Sequence, residues 1–81
     1  MRMLIKNGKI NSCGERIKEL RQTLGISQND LAVKLQLVGL GITQKTISRI
    51  ETGDRVVPDY ELKYFAEALG VSVGFLLGLE S

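Results

Sequence analysis

The sequence predicts an all-α fold of five short helices around one core. Three observations carry that prediction. Apolar residues recur at the i, i+3, i+4 and i+7 spacing of a buried helix face in successive windows. The windows open on residues that cap helix N-termini, and most close on glycine, the residue best suited to the left-handed turn after a helix. Alternation with period two is confined to Met3 to Ile10, where Asn7-Gly8 separates Leu4-Ile5-Lys6 from Lys9-Ile10. Such arms are too short for a stable hairpin of their own, so residues 1–11 are expected to form a flexible or partner-paired arm and 12–81 the folded domain.

Each element has its own justification. Ser12-Cys13-Gly14-Glu15 is a Ser-x-x-Glu capping box, in which hydroxyl and carboxylate satisfy backbone N–H groups left over at a helix start. Ile17, Leu20 and Leu24 then make one stripe and Gly25 ends helix one, which spans about Cys13 to Leu24. Ser27 is the next N-cap, with Asp30 at the third helical position, and Leu31, Ala32 and Leu35 mark the buried side of helix two, which runs to about Leu37. Gly39 and Gly41 interrupt the pattern before Thr43 caps helix three, Gln44 to about Thr52, where Ile47 and Ile50 face inward and Gly53 terminates. Pro58 and Asp59 start helix four, with Leu62, Phe65, Ala66 and Leu69 inward and Gly70 at its end. Ser72 caps a short fifth helix whose Val73, Phe75, Leu76 and Leu77 exceed what one buried stripe accommodates.

With 43% hydrophobic and 25% charged residues and a single proline, the 81-residue chain has the composition of an ordinary globular domain and the length for one core. Cys13 has no cysteine partner, and a chain without histidine lacks both a Cys/His zinc cluster and the commonest general base. No metal, cofactor or catalytic residue is therefore expected; Cys13 reads as a small apolar cap on helix one. The longest near-apolar stretches, Leu37 to Ile42 and Val71 to Leu79, fall short of a membrane span, and Met1 to Lys6 breaks off before a secretory segment, so a cytoplasmic setting is expected. Net charge is +2 but polarised: Arg2, Lys6 and Lys9 stand without an acid in residues 1–14, whereas Lys63 stands against Asp59, Glu61, Glu67 and Glu80 in residues 59–81. That polarity suits a face set on a polyanion, although surface charge also serves solubility alone.

Helix three is the informative element. Over roughly 13 Å it leaves Gln44, Lys45, Thr46, Ser48 and Arg49 to project from two anchoring isoleucines. Residues 44, 45, 48 and 49 share one helical face, and Gln, Lys and Arg carry the donors and acceptors that match base edges in the DNA major groove. On composition alone the reading as ordinary solvated surface is favoured, because charged surface helices are common.

The order of residues resembles the helix-turn-helix family of phage repressors and Cro proteins, the XRE family. It does so through Glu15-Arg16-Ile17-Lys18-Glu19-Leu20-Arg21, Leu24-Gly25-Ile26-Ser27-Gln28, Asp30-Leu31-Ala32 and Ile42-Thr43. Thr46-Ile47-Ser48-Arg49-Ile50-Glu51-Thr52-Gly53 and Ala66-Glu67-Ala68-Leu69-Gly70-Val71-Ser72 complete the match. The resemblance covers Gly14 to about Gly78 and implies a five-helix lambda-repressor-like DNA-binding domain. It assigns base contacts to Gln44, Lys45 and Arg49, with Ser48 on the same face. Phosphate contacts are implied for Gln28, at the start of helix two, and for Thr43, Thr46, Thr52 and Arg55; Gln28 could equally be a solvated polar residue and Arg55 an idle loop charge. The resemblance also pairs Arg21 with Glu51 in a partly buried ion pair that fixes the angle between helices one and three.

One departure stands out. Six residues, Gln36 to Gly41, lie where most members of that family have a single glycine, an excess of five. The turn between helices two and three is enlarged, either by another turn of helix two or by a Gly-hinged loop, and extension plus a short loop is favoured. The expected function is a sequence-specific transcriptional regulator, a repressor, binding a palindromic operator in double-stranded DNA as a homodimer, with no membrane partner or small-molecule effector. Phe75, Leu76, Leu77 and Leu79 are the candidate dimer face, with filling of the chain's own core as the competing reading. A protein-interaction module or antitoxin-like adaptor without base readout is the alternative function.

Overall fold

The structure, a computed structural model, describes residues 12–79. The arm and hairpin expected at 1–11, and Glu80 with Ser81, lie outside the described residues. The chain forms five helices in the order α1 (Ser12–Leu24), α2 (Gln28–Leu37), α3 (Gln44–Thr52), α4 (Asp59–Leu69) and α5 (Val73–Leu76), with no strand among the described residues. Phe65 lies at 0% exposure with Ile17, Leu31, Leu35, Ile47, Ile50 and Leu76, so every helix contributes a fully enclosed side chain to one core.

The caps are formed where local chemistry placed them. Ser27 Oγ accepts from the Asp30 N–H and the Asp30 carboxylate accepts from the Ser27 N–H, each at 3.0 Å, a reciprocal box. The Ser27 N–H first, and the Ser27 hydroxyl second, hold the Asp30 carboxyl below its ordinary range. Thr43 accepts from Thr46 at the start of α3, and Ser72 from Phe75 at the start of α5. Ser12 is already the first residue of α1, one before the expected start, and its side chain lies outside the described residues.

The enlarged turn resolves as extension followed by a short loop. α2 continues through Leu37, and Gly39, at φ 111°, turns the chain back so that its N–H donates to Gln36 and that of Leu40 to Leu35. This is the paired bond pattern of a Schellman ending, with Leu40 as the apolar residue that follows it and packs on the core. A tight turn, Ile42 N–H to Leu40 C=O at 3.1 Å, then brings Ile42 onto the core and Thr43 to the start of α3. Five extra residues are thus absorbed without displacing α3 from the body. Within the apolar stretch of the insertion, Leu40 is core-facing and Leu37 points outward, 81% exposed.

Three details differ from the sequence reading. Leu24 is half exposed, and Cys13 takes the third place on the buried stripe of α1 with Ile17 and Leu20. Cys13 is therefore a core residue, and burial pushes its thiol up to about 11. Glu61, counted in the sequence only among the acids of residues 59–81, is enclosed. Among the described residues no helix is long and apolar enough to cross a membrane, and no group of three metal-ligating side chains gathers.

Candidate nucleic-acid interface

α3 packs against α1 and α2 through Ile47, Ile50 and Glu51. Two successive turns of one helix side are thereby used for docking. The remaining side chains follow from helical geometry: Gln44, Lys45 and Arg49 are exposed, and Ser48 is half-buried beside them. Thr43 and Thr52 are exposed at the two ends of α3, and Thr46 is half-buried. Thr43 and Thr46 share a hydroxyl contact of 3.2 Å, and Thr52 donates to the Arg49 carbonyl, so each hydroxyl has an intramolecular engagement.

Behind this face lies an ion pair. Arg21 of α1 donates from Nε to Glu51 Oε2 at 2.7 Å and from Nη2 to Oε1 at 3.0 Å, a bidentate fork, and from Nη1 to the Ile26 carbonyl at 2.9 Å. The carboxylate hydrogen bond raises the Arg21 pKa further above its ordinary value. One guanidinium thus ties together α1, the α1–α2 turn and α3. No buried side-chain polar atom among the described residues lacks a partner.

Gln28 stands at the junction of the two helix starts. Its Nε2 donates to Glu51 Oε1 at 3.0 Å, and its Oε1 accepts from Gln44 Nε2 at 2.6 Å. The first residues of α2 and α3 are therefore side by side, and two helix N-termini, each carrying partial positive charge, converge on one patch. Lys45 lies next to Gln44 in the first turn of α3 and adds a full charge. An anionic backbone placed there meets aligned N–H groups, amides and an ammonium.

Sequence reasoning did not find the Gln28–Gln44 contact, because it crosses an enlarged turn whose return path was open. Nor did it find the partner of Arg55. That guanidinium forks onto Glu61, Nη1 to Oε1 at 3.0 Å and Nη2 to Oε2 at 3.1 Å, and Glu61 is buried. Arg55 braces the loop between α3 and α4, with its pKa raised chiefly by that carboxylate. The signal was present as an arginine six residues before a glutamate at the third position of a helix.

At the far end of the chain the four candidate dimer residues separate. Leu76 is fully enclosed, which removes it from any surface and gives it to the core. Leu77 is partly buried against that core, Phe75 is half-buried with the Arg16 guanidinium 5.7 Å from its ring centroid, and Leu79 is 61% exposed.

A comparison with curated proteins finds no match. The model of the helix-turn-helix domain family matches residues 13–74, from the start of α1 into α5. The matched span contains every element that positions the outward face of α3, and the chain belongs to the helix-turn-helix domain family, which implies DNA binding.

Proposed function

We propose that this chain is a sequence-specific transcriptional regulator of the repressor type. It acts in the cytoplasm as a homodimer on a palindromic operator, with α3 of each protomer in successive major grooves about 34 Å apart. Gln44, Lys45, Ser48 and Arg49 meet base edges, while Thr43, Thr46, Thr52 and the second amide N–H of Gln28 meet phosphates. Arg55, closed on Glu61, is assigned to bracing the loop in preference to gripping a phosphate. The observation that carries the reading is the division of α3: Ile47, Ile50 and Glu51 seated, Gln44, Lys45 and Arg49 all exposed on the side away from the core.

A single module of this kind covers about 600–1,000 Å² of protein surface on DNA, so useful affinity calls for two copies. Leu79, with Phe75 and Leu77 beside it, is the apolar surface assigned to that contact. Selection of bound duplexes from a random DNA library, followed by titration across salt concentrations, tests the proposal. A palindromic consensus whose affinity falls steeply with salt supports it. Uniform weak binding to all duplexes favours the protein-interaction module instead.

A further inference from the structure

The turn that the insertion adds to α2 raises one wall of a groove whose other wall is α4. Lys34, Leu37 and Val38 line one side and Glu67 and Ala68 the other, around a space of about 190 Å³. Leu37 projects from the rim and is the most exposed large apolar side chain among the described residues; Val33, one turn earlier on α2, continues the apolar edge. The chain leaves the added turn at Gly39, where a Cβ would meet Tyr64 Cε1 at 3.4 Å, so this turn is seated on α4 and its outward side is fixed. Lys34 and Glu67 are both exposed, and neither is ion-paired among the described residues. A positive charge on one wall and a negative charge on the other, flanking apolar side chains, make a surface complementary to itself. A twofold axis laid along the groove sets each α2 wall on the α4 wall of the other copy. Lys34 then meets Glu67 of the second copy, and Leu37 meets Ala68, whose single methyl leaves room for it.

We propose that this groove is a self-pairing surface, in which a second copy of the chain seats its Leu37 and closes a Lys34–Glu67 ion pair on each side. The contact is separate from the one assigned to Leu79 and does not depend on how α3 meets DNA. Leu37 stands about 13 Å along α2 from Gln28, so the pairing does not call on the outward side of α3. An apolar side chain as exposed as Leu37 is covered twice in such a dimer, once from each copy.

Sedimentation equilibrium of the full chain carrying Leu79→Asp, which removes the contact assigned to α5, reads the pairing by itself. That chain should pass from monomer to dimer with a dissociation constant below roughly 1 mM. Adding Lys34→Glu sets acid against acid on both sides and should weaken the dimer by roughly tenfold or more, as should Glu67→Lys. Mixing those two variants recreates both ion pairs in one dimer, so the mixture should associate as the parent does while neither variant associates alone. Leu37→Asp should also abolish the dimer, and because all three positions are exposed the urea midpoint should stay at the parent value. A parent chain that remains monomeric up to about 1 mM overturns the proposal, as does a dimer indifferent to Lys34→Glu or a mixture that fails to recover the pairing. A monomer destabilised by Leu37→Asp would put the chain's own residues 1–11 in the groove, and a monomer indifferent to it would leave the groove to a different protein; both overturn the proposal.

Discussion

Glu51→Ala is the perturbation whose cost follows most directly from the geometry. The Glu51 side chain is 2% exposed and that of Arg21 12%, so removing the carboxylate strands a guanidinium in a site water barely reaches. Arg21 keeps the Ile26 carbonyl on Nη1, but Nε and Nη2 lose their acceptors, and so does Gln28 Nε2. Breaking a buried pair from one side costs about 3–5 kcal/mol. A domain of this size has a total stability of about 4–12 kcal/mol at 0.05–0.15 kcal/mol per residue, so the variant should lose about a quarter of its stability or more, and all of it at the lower end of that range. Urea denaturation followed by far-UV circular dichroism measures the loss. With an m-value near 1 kcal/mol/M, the midpoint should fall by about 3 M or the transition disappear. Arg21→Met combined with Glu51→Leu removes both charges, and its stability should return to within about 1–2 kcal/mol of the wild type. A Glu51→Ala midpoint within about 0.5 M of the wild type would refute the reasoning, because it would mean the pair is screened like a surface salt bridge.

Other consequences concern the turn, the caps and the thiol. Gly39→Ala puts a side chain at φ 111° and a Cβ 3.4 Å from Tyr64 Cε1, and should cost about 1–3 kcal/mol in the same denaturation assay. The Cys13 thiol, at about 11 folded against 9.0 unperturbed, favours the folded state fully below pH 9 and loses that contribution as pH rises toward 11. Across that window the wild type should lose about 2–3 kcal/mol relative to Cys13→Ala, read from urea midpoints at successive pH values. The Asp30 carboxyl, lowered by the Ser27 N–H and hydroxyl, contributes stability above its unperturbed value near pH 3.8 and loses it as pH falls through the lower folded value. Asp30→Asn should flatten the acid limb of the thermal-midpoint profile in that range.

Helix limits were legible in the sequence because they rest on short-range chemistry. Ser27 with Asp30, Thr43 with Thr46 and Ser72 with Phe75 are each three residues apart, and the terminating glycines act within one turn. The inward residues of α2, α3 and α4 were legible because their spacing defines one face. What stayed hidden depends on distant neighbours. Leu24 fits the stripe of α1 as well as Cys13 does, and only the arrangement of the other helices decides which is covered. Leu76 and Leu79 are both apolar residues near the end of the chain, yet one fills the core and the other faces outward. The Gln28–Gln44 contact spans 16 residues across an atypical insertion, and Arg55–Glu61 joins a loop to a helix start, so neither could be read from periodicity.

The account turns on whether the outward face of α3 distinguishes base pairs. Binding of the wild type and of Arg49→Ala should be measured side by side on a selected duplex and on a scrambled duplex of the same length, at one fixed salt concentration. The account predicts that Arg49→Ala weakens binding to the selected duplex by about 1–3 kcal/mol more than to the scrambled one. Equal losses on both duplexes would contradict it, leaving α3 as a charged surface that touches DNA without reading it.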